Sequence, residues 1–574
     1  MKTFGVALNT GGSGKLGEVQ KAVRAWSEGK AYNGKTKSKT YAGETICYLS
    51  YANRKPVQND GEAGNCDYVR VKSGENVATT AGVNGESLQG YNPKVDFATL
   101  QVGQPICKSV GNLQNFKPSK NSDGSCYSYT VAQGDTCTSI GAPFTLSASD
   151  INGFNGKTYQ WYGCDGLLKG QKICLSSGDP PRPTSNANAE CGPLAPGDLY
   201  NTDCPNNGCC SEFGFCGTTA EFCATKQSTT GAPGTTGCFS NCNVGTLPTK
   251  KASSYNRVIY WMDTSGGLQY TPSSINSKYN LVHYAFATIG SDFSISVGSG
   301  FKDFQKIAAK KILTLGGGGG SSSNSVGDIF KTIISTTANQ KSFSDKVVKF
   351  VNDNNLDGVN FDWEFPTTTT EGKSYADLIA MVKTALRPKL ASVSIPATYG
   401  GMKYFPLKQL DASVDYFLLM NYDYHGQWDY GTSGIGCHVD RQMTEDSVKT
   451  VVKSGIDTTK LYGGLANYAR TFKLSKTSCT TYGCSFTGPN SGASTGKITQ
   501  TAGIMTENEL LAIPKGTRSR STDSASHCDI MVYNNGQDWA AWMKDTERES
   551  LDNWYQTIGL GGSAMWLSNY DKAV

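Results

Sequence analysis

The stretch LDGVNFDWEFP, from Leu356 to Pro366, alternates between two kinds of side chain. Consecutive side chains of a β-strand point to opposite faces. Asn360, Asp362 and Glu364 would therefore project together, and Val359, Phe361 and Trp363 would project the other way. In a barrel strand the first set points inward and up toward the mouth. Two carboxylates on one face repel each other. At least one is expected to hold its proton to unusually high pH, as a general acid working near neutrality must. Asp357 lies off this set, and a structural role suits it as well as a functional one.

Seven further apolar runs flank this one: VIYWM (Val258–Met262), LVHYAFATI (Leu281–Ile289), KILTLGG (Lys311–Gly317), ASVSIPA (Ala391–Ala397), DYFLLMNYD (Asp415–Asp423), LYGGLANYA (Leu461–Ala469) and SAMWLS (Ser563–Ser568). Several are apolar without clean alternation, as parallel strands buried on both faces should be. Helical stretches separate many of them, such as SFSDKVVKFVNDN before the fourth. Eight strands alternating with helices over 254–574 predict a (β/α)8 TIM barrel, whose chemistry sits at the C-terminal ends of its strands. About 90 residues separate Ala469 from the last strand, too many for a loop. They include Cys479, Cys484 and DIMVYNN (Asp529–Asn535), and predict an inserted α+β subdomain over roughly 473–545 that walls the cleft.

A chain of 574 residues is too long for one core and implies two to four domains. Charged residues are 18%, glycines number 66 and the net charge is only +5. No block of Lys and Arg suits a nucleic-acid partner, and no apolar run of 18 residues suits a membrane span. Neither a metal nor a cofactor is expected. Nineteen cysteines fall in three clusters, seven from Cys47 to Cys174, eight from Cys191 to Cys242 and four from Cys437 to Cys528. Such density argues for disulfides, an oxidising compartment and secretion. The odd total leaves one thiol unpaired, joined to another chain, or orphaned by a missing segment. The N-terminus offers only a stub of apolar sequence, Phe4 to Leu8, too short for a secretory leader; a true start elsewhere would reconcile it with the cysteines.

Residues 1–46 are polar and patternless, and no function is assigned to them. Two similar segments follow, at 66–110 and 127–175. One contains YVRVKSGENVATTAGV (Tyr68–Val83) and closes with LQVGQPIC (Leu100–Cys107). The other contains YTVAQGDTCTSIG (Tyr129–Gly141) and DINGFN (Asp150–Asn155), and closes with LLKGQKICL (Leu167–Leu175). They begin 61 residues apart, and each reads as strand, turn, helical material and strand, the mark of a duplicated module. SSGDPPRPTSNANAE (176–190) reads as an extended linker. Between Cys191 and Cys242, eight cysteines in 52 residues form a staple framework whose connectivity spacing alone does not give.

Three resemblances emerge from these motifs. The paired segments resemble LysM domains, small βααβ folds that bind N-acetylglucosamine oligomers. The second matches through Tyr129, Val131, Gly134, Asp135, Thr136, Asn155, Gly170 and Gln171; the first is degenerate, with Glu75 and Asn76 replacing the Asp-Thr pair. CCSEFGFCG with a later Phe and Cys resembles the hevein-like chitin-binding domain, here 191–242. That resemblance implies bridges Cys191–Cys210, Cys204–Cys216, Cys209–Cys223 and Cys238–Cys242, and places Ser211, Phe213, Phe215 and Phe222 on sugar-binding positions. Flat aromatic faces stack on pyranose rings and a hydroxyl reaches the acetamido group.

DGVNFDWE resembles the DxxDxDxE signature of family-18 glycoside hydrolases, the chitinases. The resemblance implies that Glu364 protonates the leaving glycosidic oxygen while the substrate's own 2-acetamido carbonyl attacks, with retention. Asp362 would orient the acetamido N–H. Tyr422 would bond the acetamido carbonyl and Asp423 the sugar, both within MNYD (Met420–Asp423). Trp566 would floor the cleaved subsite. Tyr260, Phe286 and Met420 line it, Trp428 lies on the leaving-group side, and Arg470 matches the family's YGR motif. Two departures stand out. Asn360 replaces an Asp that shares a proton with its neighbour, so an altered pH optimum and lower turnover are expected, with the amide bonded to Asp362. The run Gly316–Gly320 places Gly318 where the family often has Trp, which would weaken one subsite.

Two functions fit. One is a secreted chitinase with chitin and N-acetylglucosamine oligomers as partners, its small modules raising local concentration on the polymer. The alternative is a chitin-binding lectin or killer-toxin-like docking subunit with weakened catalysis, joined to a second toxin subunit through the odd cysteine.

Overall fold

The computed structural model describes residues 64–226, 236–264, 268–318, 326–488, 492–572 and 574, with the backbone of Lys37–Tyr41 and Glu44–Tyr48. It divides into two compact units, Met1–Pro181 and Arg182–Val574.

In the first unit, Lys37–Tyr41 and Glu44–Tyr48 pair as an antiparallel hairpin inside a segment whose sequence shows no pattern. Residues 1–36 lie outside the described residues. The repeat itself is two βααβ units. In one, Tyr68–Arg70 pairs with Pro105–Cys107 around helices Val77–Ala81 and Gly85–Tyr91. In the other, Ser128–Thr130 pairs with Lys172–Cys174 around helices Cys137–Gly141 and Ala148–Phe154. Corresponding bridges, Cys66–Cys107 and Cys126–Cys174, close them. So do corresponding asparagines. Asn92 donates to the carbonyls of Leu88 and Cys107 and accepts from the Cys107 N–H. Asn155 does the same with Ile151 and Cys174. The substitution that makes the first unit look degenerate keeps its mechanical role. Asn76 caps the first helix by accepting from the N–H groups of Ala78 and Thr79, as Thr136 caps its counterpart through Ser139.

The second unit opens on a stretch expected as linker, but from Arg182 onward the chain is laid against the cysteine-rich module. The Arg182 guanidinium lies 4.2 Å from the Tyr200 ring centroid, and Ala189 is buried. The module holds Cys191–Cys210, Cys204–Cys216, Cys209–Cys223 and Cys238–Cys242. Eighteen cysteines are paired in nine bridges, and the side chain of the nineteenth, Cys47, lies outside the described residues.

Eight parallel strands then close on themselves in chain order: β1 (Asn256–Met262), β2 (Leu281–Ile289), β3 (Lys310–Gly316), β4 (Gly358–Asp362), β5 (Leu390–Pro396), β6 (Tyr416–Met420), β7 (Leu461–Ala466) and β8 (Gly562–Trp566). Pairing of β1 with both β2 and β8 shuts the barrel. The alternation in β4 sorts its side chains as its sequence requires. Phe361 and Trp363 face outward onto Tyr375 of helix Thr369–Leu386, and Trp363 stacks on Phe330 of helix Val326–Ile334 with ring centroids 5.6 Å apart. Asn360 and Asp362 face the interior and are buried. Asp357 accepts the Lys311 N–H at the foot of the barrel, a structural role.

The inserted subdomain is a five-stranded antiparallel sheet in the order Ile504–Thr506, Tyr468–Lys473, Asp538–Trp542, Cys528–Tyr533, Ser519–Asp523. It starts at Tyr468, earlier than the expected 473, because LYGGLANYA is two strands. Asn467 breaks it: its side chain accepts the Leu567 N–H and donates to the Leu567 carbonyl, taking over ladder bonds so that the backbone can turn out of the barrel. Cys437–Cys528 ties this sheet to the segment after β6.

Candidate active site

At the C-terminal ends of the strands lies a cavity of about 540 Å³. It gathers residues from seven elements: Tyr260 from β1, Phe286 from β2, Gly318 after β3, Asp362 and Glu364 from and after β4, Met420, Tyr422, Asp423 and Trp428 from and after β6, Arg470 from the inserted sheet, and Trp566 from β8. These are the barrel residues expected from sequence, apart from Asn360, which lies one layer below. Thr398, Tyr424, Tyr468, Ile504 and Tyr570 also line the cavity and were not foreseen. Tyr468 was legible only as part of an apolar run, and its hydrogen bond to Asp423 was not foreseen.

The floor is aromatic. Trp566 stacks on Phe286 at 5.7 Å and meets Tyr260 edge-on at 5.1 Å. Such a flat apolar face suits the face of a sugar ring. The glycines after β3 hold the acids from the side. Gly317 N–H donates to the Asp362 carbonyl at 2.7 Å, and the Gly318 N–H bonds the Glu364 carboxylate. Gly316 sits at φ 120°, and a Cβ there would lie 2.1 Å from the Asp362 carbonyl oxygen, so the close approach requires glycine. Gly319, Gly320 and the serines after them lie outside the described residues.

The pKa pattern separates the roles. The protein surrounding Glu364 raises its pKa, and the charges of Asp362 and Asp423 raise it further. Its side chain is still open to the cavity, so the enclosing walls do this without shutting out water. Burial likewise raises Asp362, against a hydrogen bond from Ser394. Repulsion between the two acids, expected as the cause, is thus second to burial. Asp423 behaves oppositely. Burial would raise it, but the charge and the hydrogen bonds of Arg470 hold it well below the ordinary carboxylate range. Arg470 grips it with Nε at 2.8 Å and Nη2 at 2.6 Å, and Tyr468 donates its hydroxyl at 2.7 Å. The same guanidinium lies 5.0 Å from the centroid of Trp428, which is 54% exposed.

Asn360 does not bond Asp362 in the way expected. Its amide N–H groups donate to Tyr260 Oη at 3.2 Å and Ser394 Oγ at 3.1 Å, and its carbonyl accepts from Ser392 Oγ at 2.8 Å. Ser394, with its oxygen occupied by Asn360, has its proton left for Asp362. The amide therefore acts on Asp362 through a serine from the neighbouring strand β5. Below it, Tyr416 hydrogen-bonds Ser392, and its hydroxyl lies 2.9 Å from Nε2 of the fully buried His283. Sequence reasoning gave no sign of this polar column, because serine and histidine in a strand read as ordinary interior residues.

The cysteine-rich module carries its own candidate face. Phe213 is 60% exposed and Phe215 37%. Ser211 is buried and accepts the Phe215 N–H. Phe222 departs from the expected face: it is half-buried against the Cys209, Cys223 and Cys238 cluster, its ring filling the space a Cβ on Gly217 would need. No helix among the described residues is long and apolar enough to cross a membrane.

Known proteins resemble the chain in keeping with this geometry. The killer toxin subunits alpha/beta of Kluyveromyces lactis are 42% identical over the whole chain and 51% of that protein. Secreted chitinase LysM12 of Penicillium expansum is 35% identical over 89% of the chain and 37% of that protein. The chain thus spans about half or less of the length of these relatives. Catalytic domain 2 of an Ostrinia furnacalis group II chitinase is 22% identical, covering 55% of this chain and 90% of that one, with a TM-score of 0.49. Residues 190–242 match the family described as chitin recognition protein. Residues 256–571, the whole barrel with its inserted sheet, match glycosyl hydrolases family 18, and the chain belongs to that family.

Proposed function

We propose that the chain is a secreted chitinase that cleaves β-1,4 N-acetylglucosamine linkages with retention. The observation that carries this reading is the pairing, across one aromatic-floored cavity, of a Glu364 held protonated with the interior Asp362 and the Tyr422 hydroxyl. Glu364 gives its proton to the glycosidic oxygen as the C1–O bond breaks. The carbonyl oxygen of the substrate's 2-acetamido group bonds C1 on the opposite face, forming an oxazolinium ion. Asp362, ionised as charge develops, holds the acetamido N–H and stabilises the cation, while Tyr422 donates to the acetamido oxygen. Water, deprotonated by the now ionised Glu364, then opens the ring and restores the acetamido group with net retention. Asp423, fixed by Arg470, accepts from a sugar hydroxyl. The module at 190–242 would hold the polymer through Phe213, Phe215 and Ser211, and the two βααβ units would do so as LysM domains. Their shared frame and the LysM chitinase among the relatives support that assignment.

Hydrolysis of N-acetylchitopentaose tests this. Wild type is expected to release the β-anomer, and Glu364→Gln to be at least about 100-fold slower. No hydrolysis by wild type refutes the reading. A second reading follows from the 42% identity to the killer toxin subunits: a chitin-docking subunit of a longer or disulfide-linked assembly. Non-reducing electrophoresis of secreted protein, showing a partner released by reductant, would favour it.

A further inference from the structure

The module at 190–242 is clamped to the barrel by a built interface. Asn206, half-buried at φ 53°, carries the centre of it. Its side-chain N–H groups donate to the carbonyls of Met402 at 3.0 Å and Phe405 at 2.8 Å, and its oxygen accepts the Leu407 N–H at 3.2 Å. Tyr399 donates its hydroxyl to the Pro205 carbonyl at 2.8 Å, with its ring packed where a Cβ on Gly208 would sit. Lys403 pairs with Glu190, which also accepts the Cys216 N–H inside the module. On a second side, Lys453 Nζ reaches the carbonyls of Asn241 and Asn243, Asn207 donates to the Lys453 carbonyl, and Thr218 bonds Thr450. The connecting segment is also laid on the barrel: Lys250 pairs with Asp457, and Ala252 N–H bonds the Gly559 carbonyl.

This interface matters because of where it begins. The clamped segment 399–407 starts directly after Pro396, Ala397 and Thr398, which line the catalytic cavity. One short stretch after β5 therefore forms a wall of the cleft and the seat of the module. A freely tethered module would only raise local concentration. A clamped one presents its exposed Phe213 and Phe215 at a constant position relative to the cavity. Resting on the reading that both sites bind chitin, we propose that module and cleft form a single fixed binding unit engaged together by one long chitin ligand, and that Asn206 is the positioning residue that holds them in register.

The test is a binding cycle on the full chain, independent of turnover. Asn206→Gly removes the three clamp bonds and leaves the left-handed backbone sterically accessible. Lys403→Ala, on the barrel surface, is the second clamp variant. Each is expected to bind colloidal chitin about tenfold more weakly, while N-acetylchitotriose affinity stays within about twofold. In a Phe213→Ala background the Asn206→Gly effect should vanish, since the module then has nothing to present. Unchanged polymer binding by both clamp variants overturns the proposal, as does an equal loss for the trisaccharide or full additivity with Phe213→Ala. A wild type that binds chitin without cleaving it would sink the hydrolase reading alone.

Discussion

Arg470→Met removes the only cation that grips Asp423 among the described residues, and its consequences follow from the hydrogen bonds left behind. Nε2 of His438 lies 2.9 Å from the Tyr468 carbonyl and must donate to it. The neutral ring then turns the lone pair of Nδ1 toward Asp423 Oδ1 at 3.4 Å, where no hydrogen bond is made. Two acceptors face each other, and the guanidinium makes that arrangement tolerable. Breaking a buried ion pair by removing one partner costs about 3–5 kcal/mol. Asp423 keeps 31% of its side chain open to the cavity, so roughly 2–3 kcal/mol is the better figure here. It corresponds to a fall in Tm of about 3–5 °C for a catalytic unit of this size. A proton should also enter between Asp423 and His438, since Nδ1 of His438 has no other hydrogen-bond partner among the described residues. Neutralising Asp423 removes one of the charges that raise Glu364. The pKa of Glu364 then falls, and the alkaline limb of the pH–rate profile moves to lower pH, because the acid form is lost sooner. Thermal unfolding and a kcat/KM profile on a chitin oligomer read both effects. An alkaline limb that stays in place or moves up would refute the proton uptake.

Asn360→Asp adds a second interior carboxylate one serine away from Asp362, so the acid limb should move to higher pH; an unchanged profile in kcat/KM measurements contradicts the Ser394 relay. Phe213→Ala removes an exposed ring without touching the disulfide core, and should weaken chitin binding by about 0.5–1.5 kcal/mol in pull-down titrations at unchanged Tm. Replacing Cys437 and Cys528 by Ala opens a loop closed at a sequence separation of 91, and should cost about 4–5 kcal/mol by chemical denaturation.

How much of this was legible beforehand depended on where the information is stored. Period-two alternation in β4 gave the barrel, the inward acids and the outward aromatics, because burial on both faces leaves little freedom in the pattern. The cavity residues that came from strand ends were legible for the same reason. What escaped was chemistry set by partners distant in sequence. The amide of Asn360 finds serines of β5 instead of Asp362, the polar column runs through β2 and β6, and the clamp joins Asn206 to residues about 200 positions away. Asn467 shows the local version of the limit: a single side chain that imitates backbone ended β7 where the apolar run continued. Asn76 looked like decay and proved to preserve a helix cap, since different residue types can do one mechanical job.

The glycine bend after β3 also constrains how this cleft can change over time. A Cβ on Gly317 would fall 2.5 Å from the Phe286 ring, so the two positions share one volume. Position 317 is closed to other residues on two counts: a side chain there displaces the aromatic that stacks on Trp566, and its φ of 92° strains any side chain even where room is made. Drift at this spot is therefore confined to position 286, while 317 is held as glycine. The counterpart of Gly317 should stay glycine among related chains, whichever side chain stands opposite it on β2.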